Sequence, residues 1–116
     1  MFVTIDPTRE EPLFAQVASA VRLEMAEERL RPGDRLPPAR DLATSLDVNL
    51  HTVLRAYQDL RDEGLVEMRR GRGASVSAAA GALSELNHEI TTLVAKAAAL
   101  HIDVDTLTSL VKEAAR

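Results

Sequence analysis

Three arginines and two glycines lie together in the run Arg69-Arg70-Gly71-Arg72-Gly73. The guanidinium group of arginine donates hydrogen bonds in a planar fork that matches phosphate and guanine. Glycine lets a backbone approach a partner closely and adopt turns that other residues avoid. A projecting loop of this composition can therefore place arginine against a nucleic-acid backbone or in a minor groove. A plain glycine hairpin with solubilising arginines has the same composition. The elements around the run must therefore show whether it contacts a nucleic acid.

Polar side chains also recur at helical spacing just before this run. One side of a predicted helix carries polar residues in steps of 4, 3 and 4, namely His51, Arg55, Gln58 and Asp62. The opposite side carries the apolar residues Val53, Ala56, Tyr57 and Leu60. A helix that enters the major groove contacts bases through its first turns. Those turns carry the candidate base-contacting residues Asn49, Leu50, His51, Thr52 and Arg55. By spacing alone, a solvated polar face fits equally well.

The sequence before this helix predicts the elements that would pack against it. Residues 2–5 have the composition of a short strand. Apolar residues then recur in steps of 3, 4 and 4, which predicts an amphipathic helix over residues 12–29. A second, shorter helix is expected over residues 39–46, after an extended segment that contains two prolines.

The third helix and the arginine-rich run belong to a longer pattern. Asn49 is a favourable N-cap for the helix, and Gly64 is a typical left-handed terminator. Residues 65–69 and 74–77 can form two strands on either side of the glycine turn. Two helices, a tight turn, a third helix and a hairpin, in that order, make a winged helix-turn-helix. This context favours DNA contact by the hairpin, through Arg70, Gly71 and Arg72.

The last third of the chain carries a different pattern. Small residues around position 80 mark the expected boundary between two domains, residues 1–77 and residues 78–116. Beyond it, apolar residues step by 3 and 4 in a heptad-like stripe, and Asp103 is the expected N-cap of a second helix. This stripe could be an intramolecular core or a dimer seam. A helix pair of this length cannot close its own core well, whereas two copies can, as a symmetric four-helix arrangement or by packing on the first domain. We therefore expect a homodimer, with a seam formed by Leu83, Leu86, Ile90, Leu93, Ala97, Leu107 and Val111.

The composition limits what else the chain can do. Its 116 residues fit a small domain with an appendage, and the low aromatic content favours a helical fold with an aliphatic core. The net charge of −4 argues mildly against nucleic acid. Every basic side chain of residues 1–77 is arginine, however, so DNA contact would depend on local placement. The absence of cysteine excludes disulfides and thiolate sites. We expect no signal peptide or membrane span, and hence a cytoplasmic protein.

Patterns typical of enzymes and metal sites are missing from the sequence. No serine has a base at a recognisable spacing, and no phosphate-binding loop opens a helix, so we do not expect an enzyme. His88 and His101 lie 13 residues apart with carboxylates nearby. They form no i, i+4 pair, so we predict no metal site and no cofactor. A small-molecule effector is left open, because nothing in residues 78–116 indicates its chemistry.

Five segments in a fixed order carry a family resemblance: Pro12-Leu13-Phe14-Ala15-Gln16-Val17, Leu30-Arg31-Pro32-Gly33-Asp34-Arg35-Leu36-Pro37, Arg40-Asp41-Leu42-Ala43, Glu63-Gly64-Leu65-Val66 and Arg70-Gly71-Arg72-Gly73. With them, residues 8–77 resemble the GntR family of bacterial transcription regulators. Val48-Asn49, Thr52-Val53 and Ala56-Tyr57, with the short helical extension, are similar to its YtrA subfamily. The resemblance implies a sequence-specific DNA-binding regulator, a repressor, whose homodimer would suit an inverted-repeat operator.

The resemblance also implies roles for single residues. Arg40 matches an arginine that contacts the DNA backbone or a base. Thr52 matches a threonine of the recognition helix, and Gly71 with its arginine neighbours matches the wing tip.

Three positions depart from the family pattern. Leu50 and Leu54 stand where many members outside the subfamily carry a DNA-contacting arginine. Pro38 replaces a serine that caps the second helix. We therefore expect His51 and Arg55 to take over part of the base contacts, and Leu50 to pack on a thymine methyl group.

The alternative is a winged-helix module that binds protein and does not read DNA sequence. The net acidity and the two leucines of the recognition helix favour it, whereas the arginine-rich wing and the family pattern oppose it. Binding that weakens steeply as salt rises would indicate DNA.

Overall fold

A computed structural model describes residues 3–116, which form five α-helices and one antiparallel hairpin. The elements are α1 (Leu13–Ala26), α2 (Ala39–Leu46), α3 (Leu50–Asp62), β1 (Val66–Arg69), β2 (Gly73–Val76), a short 3-10 helix (Ala78–Ala80), α4 (Gly81–Ala99) and α5 (Val104–Ala114). The predicted class, mainly α with a small β-hairpin, is confirmed.

Helix α3 lies at the centre of the first part of the chain. Its four predicted inward side chains are all buried: Val53, Ala56, Tyr57 and Leu60. Val17 and Val21 of α1 and Leu42 of α2 belong to the same apolar cluster. Burial of this apolar face in water holds α3 between its neighbours and leaves its polar side outward.

The connection from α2 to α3 is a tight turn. Asp47 ends α2 in the left-handed conformation, with φ +55°, and the amide of Val48 donates to the carbonyl oxygen of Ala43 at 3.0 Å. The side-chain oxygen of Asn49 accepts a hydrogen bond from the amide of His51 at 2.8 Å. Asn49 is therefore the N-cap of α3, as predicted.

The hairpin pairs Val66 with Val76 and Arg69 with Gly73. A third extended segment joins its edge, because Arg35 forms a bridge to Ser75. The amide of Leu36 donates to the carbonyl oxygen of Ala74 at 2.9 Å. The hairpin is thus tied to the segment that precedes α2, and not only to α3.

Two expectations about the N-terminal elements are wrong. Val3–Ile5 belong to no strand, although Val3 and Ile5 pack against the core, and Phe2 lies outside the described residues. Helix α1 ends at Ala26 and not at residue 29, because Glu28 takes a left-handed conformation with φ +62°. The amides of Arg29 and Leu30 then both donate to the carbonyl oxygen of Glu24, which closes the helix end.

The chain separates into two compact units, of which the first ends at Glu85 and the second runs from Leu86 to Arg116. The first turn of α4 belongs to the first unit, because Ala80 is buried in its core and Leu83 packs against that core. In the second unit the side chain of Asp103 accepts from the amide of Thr106 at 2.8 Å, so Asp103 caps α5 as predicted.

Candidate nucleic-acid interface

The outward side of α3 carries the polar residues expected there. Their side chains are exposed in the structure: His51, Arg55, Gln58 and Asp62. The first turn also presents Asn49, which is exposed, and Leu50 and Thr52, which are half-buried. The cap uses the side-chain oxygen of Asn49, so the side-chain amide nitrogen stays available as a donor.

Arg55 has an aromatic partner that the sequence did not reveal. Its guanidinium carbon lies 3.6 Å from the centroid of the Phe14 ring, in a cation–π arrangement between α3 and α1. A second contact between the same helices joins Arg22 to both carboxylate oxygens of Glu63, at 2.9 and 2.5 Å. Hydrogen bonding to Glu63 raises the pKa of Arg22, so this guanidinium group stays charged.

The tip of the hairpin is the predicted arginine-glycine turn. Gly71 and Gly73 both have positive φ, +77° and +70°, and the amide of Arg72 donates to the carbonyl oxygen of Arg69 at 3.0 Å. Both glycines occupy backbone conformations that side chains disfavour. The turn leaves Arg70 and Arg72 exposed on either side of Gly71.

An apolar groove separates α3 from the wing. Its volume is about 490 Å³, and its walls include Pro37, Pro38, Leu54, Met68 and Arg72. Tyr57 also lines it, and the Tyr57 hydroxyl donates to the carbonyl oxygen of Pro37 at 2.8 Å. Burial raises the pKa of this hydroxyl, which therefore stays protonated as a donor. The groove joins the start of α2, the recognition helix and the wing into one continuous surface.

The outer face of the wing adds Arg35, which the sequence did not indicate as a site residue, to Arg69 of the arginine-glycine run. Arg35 and Arg69 line a second groove, of about 410 Å³, together with Arg72. Arg35 arrives there through its bridge to Ser75, which is a contact between distant segments. The sequence carries no local signal for this juxtaposition, although the extended segment around Pro37 was expected.

Arg40 lies in the first turn of α2 and is exposed. Pro38, the N-cap of this helix, provides no side-chain hydrogen bond, as expected from the missing serine. Backbone donors in the first turn of α2 therefore have no capping side chain, and such donors suit a phosphate.

The arginines of the first unit fall into two groups. Within residues 3–116, ion pairs join Arg22 to Glu63 and Arg29 to Glu24, and also Arg61 to Asp62 in α3 and Arg69 to Glu67 on the wing. By contrast, within the same described range no carboxylate oxygen lies within 4.0 Å of five other arginines, which stand in the segment before α2, in α2, in α3 and on the wing: Arg35, Arg40, Arg55, Arg70 and Arg72. A chain with net negative charge thus keeps a set of uncompensated cations around its recognition helix.

Comparison with known proteins agrees with this geometry. Residues 13–76 match the family model described as bacterial regulatory proteins, gntR family. This chain belongs to the GntR family. The matched residues run from the start of α1 to the end of β2, so they include the recognition helix and the wing.

Relatives of this GntR chain extend the match beyond the winged helix. The HTH-type transcriptional repressor YtrA of Bacillus subtilis is 30% identical over 117 residues, which cover 96% of this chain and 90% of that protein. The structure of YtrA from Sulfolobus acidocaldarius, a GntR-family transcription factor, is 30% identical with a TM-score of 0.63, over 85% of this chain and 99% of that one. AraR(DBD) in complex with operator ORX1 is 26% identical with a TM-score of 0.58, over 65% of this chain and 93% of that one.

Membership of the GntR family decides between the two functions left open by the sequence. The chain is a transcriptional regulator with a DNA-binding winged helix, and its relatives are named regulators and not enzymes. Among residues 3–116, no three His, Asp or Glu side chains come together as a metal site. None of the helices in that range combines the length and the apolar character needed to cross a membrane.

The tail residues predicted to form a dimer seam have mixed environments. Leu86, Ile90 and Leu93 of α4 are 57%, 52% and 44% exposed, and Val111 of α5 is 51% exposed. Leu107 is half-buried, whereas Ala97 is buried. Leu83 packs on the core of the first unit and is not exposed like Leu86, Ile90 and Leu93.

Proposed function

We propose that this regulator binds double-stranded DNA as a homodimer, on an inverted-repeat operator, and represses the genes beside it. The observation that carries the proposal is the unpaired arginine set around α3 and the wing. An arginine without a carboxylate partner can bind a DNA phosphate. The counterions that the DNA then releases supply much of the affinity for DNA.

The residues of this surface divide into two roles. We assign base contacts to His51, Thr52 and Arg55, with Asn49 and Leu50 at the edge of the same turn. We assign backbone contacts, or minor-groove contacts beside the wing, to Arg40, Arg70 and Arg72, with Gly71 allowing close approach. Arg35 extends the backbone contacts along the outer face of the wing.

The second unit supplies the dimer contact in this proposal. Of residues 86–116, all of them described, Ala97 is the one buried residue; in the apolar stripe of α4 and α5 Leu107 is half-buried, and the exposed members are Leu86, Ile90, Leu93 and Val111. Two copies that bury these stripes against each other would remove that apolar surface from water. The seam would run through Leu86, Ile90, Leu93, Leu107 and Val111, while Leu83 stays with the first unit. A cytoplasmic location and the domain limits at residues 77 and 78 stay predictions.

A selection experiment tests the proposal. Wild-type protein is used to select fragments from genomic double-stranded DNA, and the recovered sequences are searched for two symmetric half-sites about one helical turn apart. Affinity for the best fragment is then measured between 50 and 200 mM salt, where each phosphate contact adds about −0.9 to the slope of log K against log salt. We expect a slope of roughly −4 or steeper. A slope near zero, or fragments without any common sequence, would contradict the proposal.

Repression is tested separately from binding. The selected fragment is placed over a reporter promoter, and expression is compared with and without the regulator. We expect lower expression with the regulator, and recovery of expression when the half-site spacing is changed by five base pairs, because the two recognition helices would then face opposite sides of the duplex. Higher expression would identify an activator.

A further inference from the structure

One face of the Arg55 guanidinium group is covered by an aromatic ring, while its N–H donors make no hydrogen bond. Its central carbon lies 3.6 Å from the centroid of Phe14, so the aromatic ring covers one face of the planar group. Within residues 3–116, no acceptor takes a hydrogen bond from it and no carboxylate forms an ion pair with it. The N–H groups point outward in the plane of the guanidinium, so they are available for a partner outside the chain.

The ring that covers Arg55 belongs to a helix that the protein core holds in place. Phe14 lies in the first turn of α1, one turn before Val17, which is fully buried. Val53 of α3 is also fully buried in the same core. The ion pair of Arg22 with Glu63 joins the same two helices. The backbone that carries Phe14 is therefore held beside α3, and its half-buried ring covers one face of the exposed Arg55 side chain.

A restrained arginine is suited to a planar partner. The edge of guanine in the major groove presents O6 and N7 together, and a guanidinium binds both when its plane is correctly set. A flexible arginine must lose rotamer freedom on binding, but an arginine already stacked on a ring has lost much of it. The stack also leaves the charge uncompensated by any carboxylate, so the attraction for an electronegative base edge is kept.

We infer that Phe14 is a positioning residue for DNA recognition, which presets the guanidinium of Arg55 to read one guanine of each half-site. This inference rests on the proposed DNA-binding function and adds a specificity-determining contact outside the recognition helix. Phe14 acts through Arg55 and does not itself touch the base.

A double-mutant cycle tests the inference with the best DNA fragment selected by wild-type protein as the probe. The variants are Phe14→Leu, Phe14→Tyr, Arg55→Ala and the combination of Phe14→Leu with Arg55→Ala. Leucine keeps an apolar side chain, although a smaller one, and has no ring, whereas tyrosine keeps the ring. Affinity is measured for the selected fragment and for a scrambled duplex of the same length, and thermal unfolding checks that each variant is folded.

We expect Phe14→Leu to weaken binding to the selected fragment by about 2- to 5-fold, which is the range of an exposed cation–π contact. The scrambled duplex should be bound as by wild type, and Phe14→Tyr should restore the affinity. In the Arg55→Ala background, Phe14→Leu should have no further effect. The preference for guanine at one half-site position should fall in Phe14→Leu and in Arg55→Ala.

Three results would overturn the inference while leaving the proposed function intact. One is an equal loss of DNA affinity when Phe14→Leu is made in the wild-type protein and in the Arg55→Ala variant. Another is an equal loss on selected and scrambled DNA. The third is tighter binding by Phe14→Leu, which would make the stack an inhibitory contact. Failure of the proposed function looks different, because the wild-type protein would then select no common fragment at all.

Discussion

The hydroxyl of Tyr57 donates a hydrogen bond to the carbonyl oxygen of Pro37 at 2.8 Å, from the middle of the recognition helix to the segment that precedes α2. The Tyr57 side chain is almost fully buried, and the Pro37 carbonyl lies at the wall of the groove between α3 and the wing. This one contact joins the recognition helix to the segment that also pairs with the hairpin. It therefore helps set where the wing lies relative to α3.

Replacement of Tyr57 by phenylalanine should test this contact. The Tyr57→Phe variant keeps the ring but leaves the carbonyl oxygen of Pro37 without its donor, so we expect a loss of about 1 kcal/mol in the free energy of unfolding. Urea denaturation measures that loss, and the m-value should not change. A midpoint equal to that of wild type would mean that water replaces the hydroxyl at no cost.

Arg72 on the wing should contribute affinity without sequence preference. Arg72→Ala removes one uncompensated charge beside both grooves, so we expect weaker binding to selected and scrambled DNA by the same factor. The salt slope should also become shallower by about 1. Arg116→Ala is the matched control, because it removes the same charge from an exposed residue at the end of the chain. A loss confined to the selected fragment would mean that Arg72 reads bases.

Leu93 lies at the centre of the proposed dimer seam. Leu93→Asp would place a charge within buried apolar surface, so we expect the dimer to dissociate at micromolar concentration. Ala95→Asp is the matched control, because residue 95 is exposed and lies about 200° around the helix from residue 93. Sedimentation velocity measures both variants. An intact dimer for Leu93→Asp, or dissociation by both variants alike, would exclude this seam.

The cap of α5 should make that helix sensitive to acid. The backbone amide of Thr106 donates to the Asp103 carboxylate and lowers its pKa below the ordinary value of 3.8. A lowered pKa in the folded state means that the stabilisation is present above pH 3.8 and is lost as the pH falls through the folded-state pKa. We expect the Thr106 amide resonance to titrate with a midpoint below 3.8.

Asp103→Asn is the control for this titration. Asparagine caps a helix about as well as aspartate but does not ionise, so the Thr106 amide resonance should then stay constant down to acid pH. A midpoint at or above 3.8 in the wild-type protein would mean that the cap does not form in solution.

Local signals in the sequence were enough for most of the helices. Helix α2 occupies the predicted residues 39–46, and the caps Asn49 and Asp103 lie where their side chains predicted them. Caps and apolar spacing act within a few residues of the chain, so one sequence shows them. The end of α1 was predicted wrongly for a different reason. Glu28 adopts a left-handed conformation that its residue type does not favour, so the sequence gives no signal for it.

The site was predictable in its composition but not in its assembly. By itself, the order of residues determined a polar recognition face, an arginine-glycine turn and an apolar stripe in the tail, because each depends on periodicity along one segment. Only the tertiary structure decided that Arg55 stacks on Phe14, that Arg35 joins the wing and that Leu83 belongs to the first unit. These contacts join segments far apart in the chain, and the packing of the helices around one shared core brings them together.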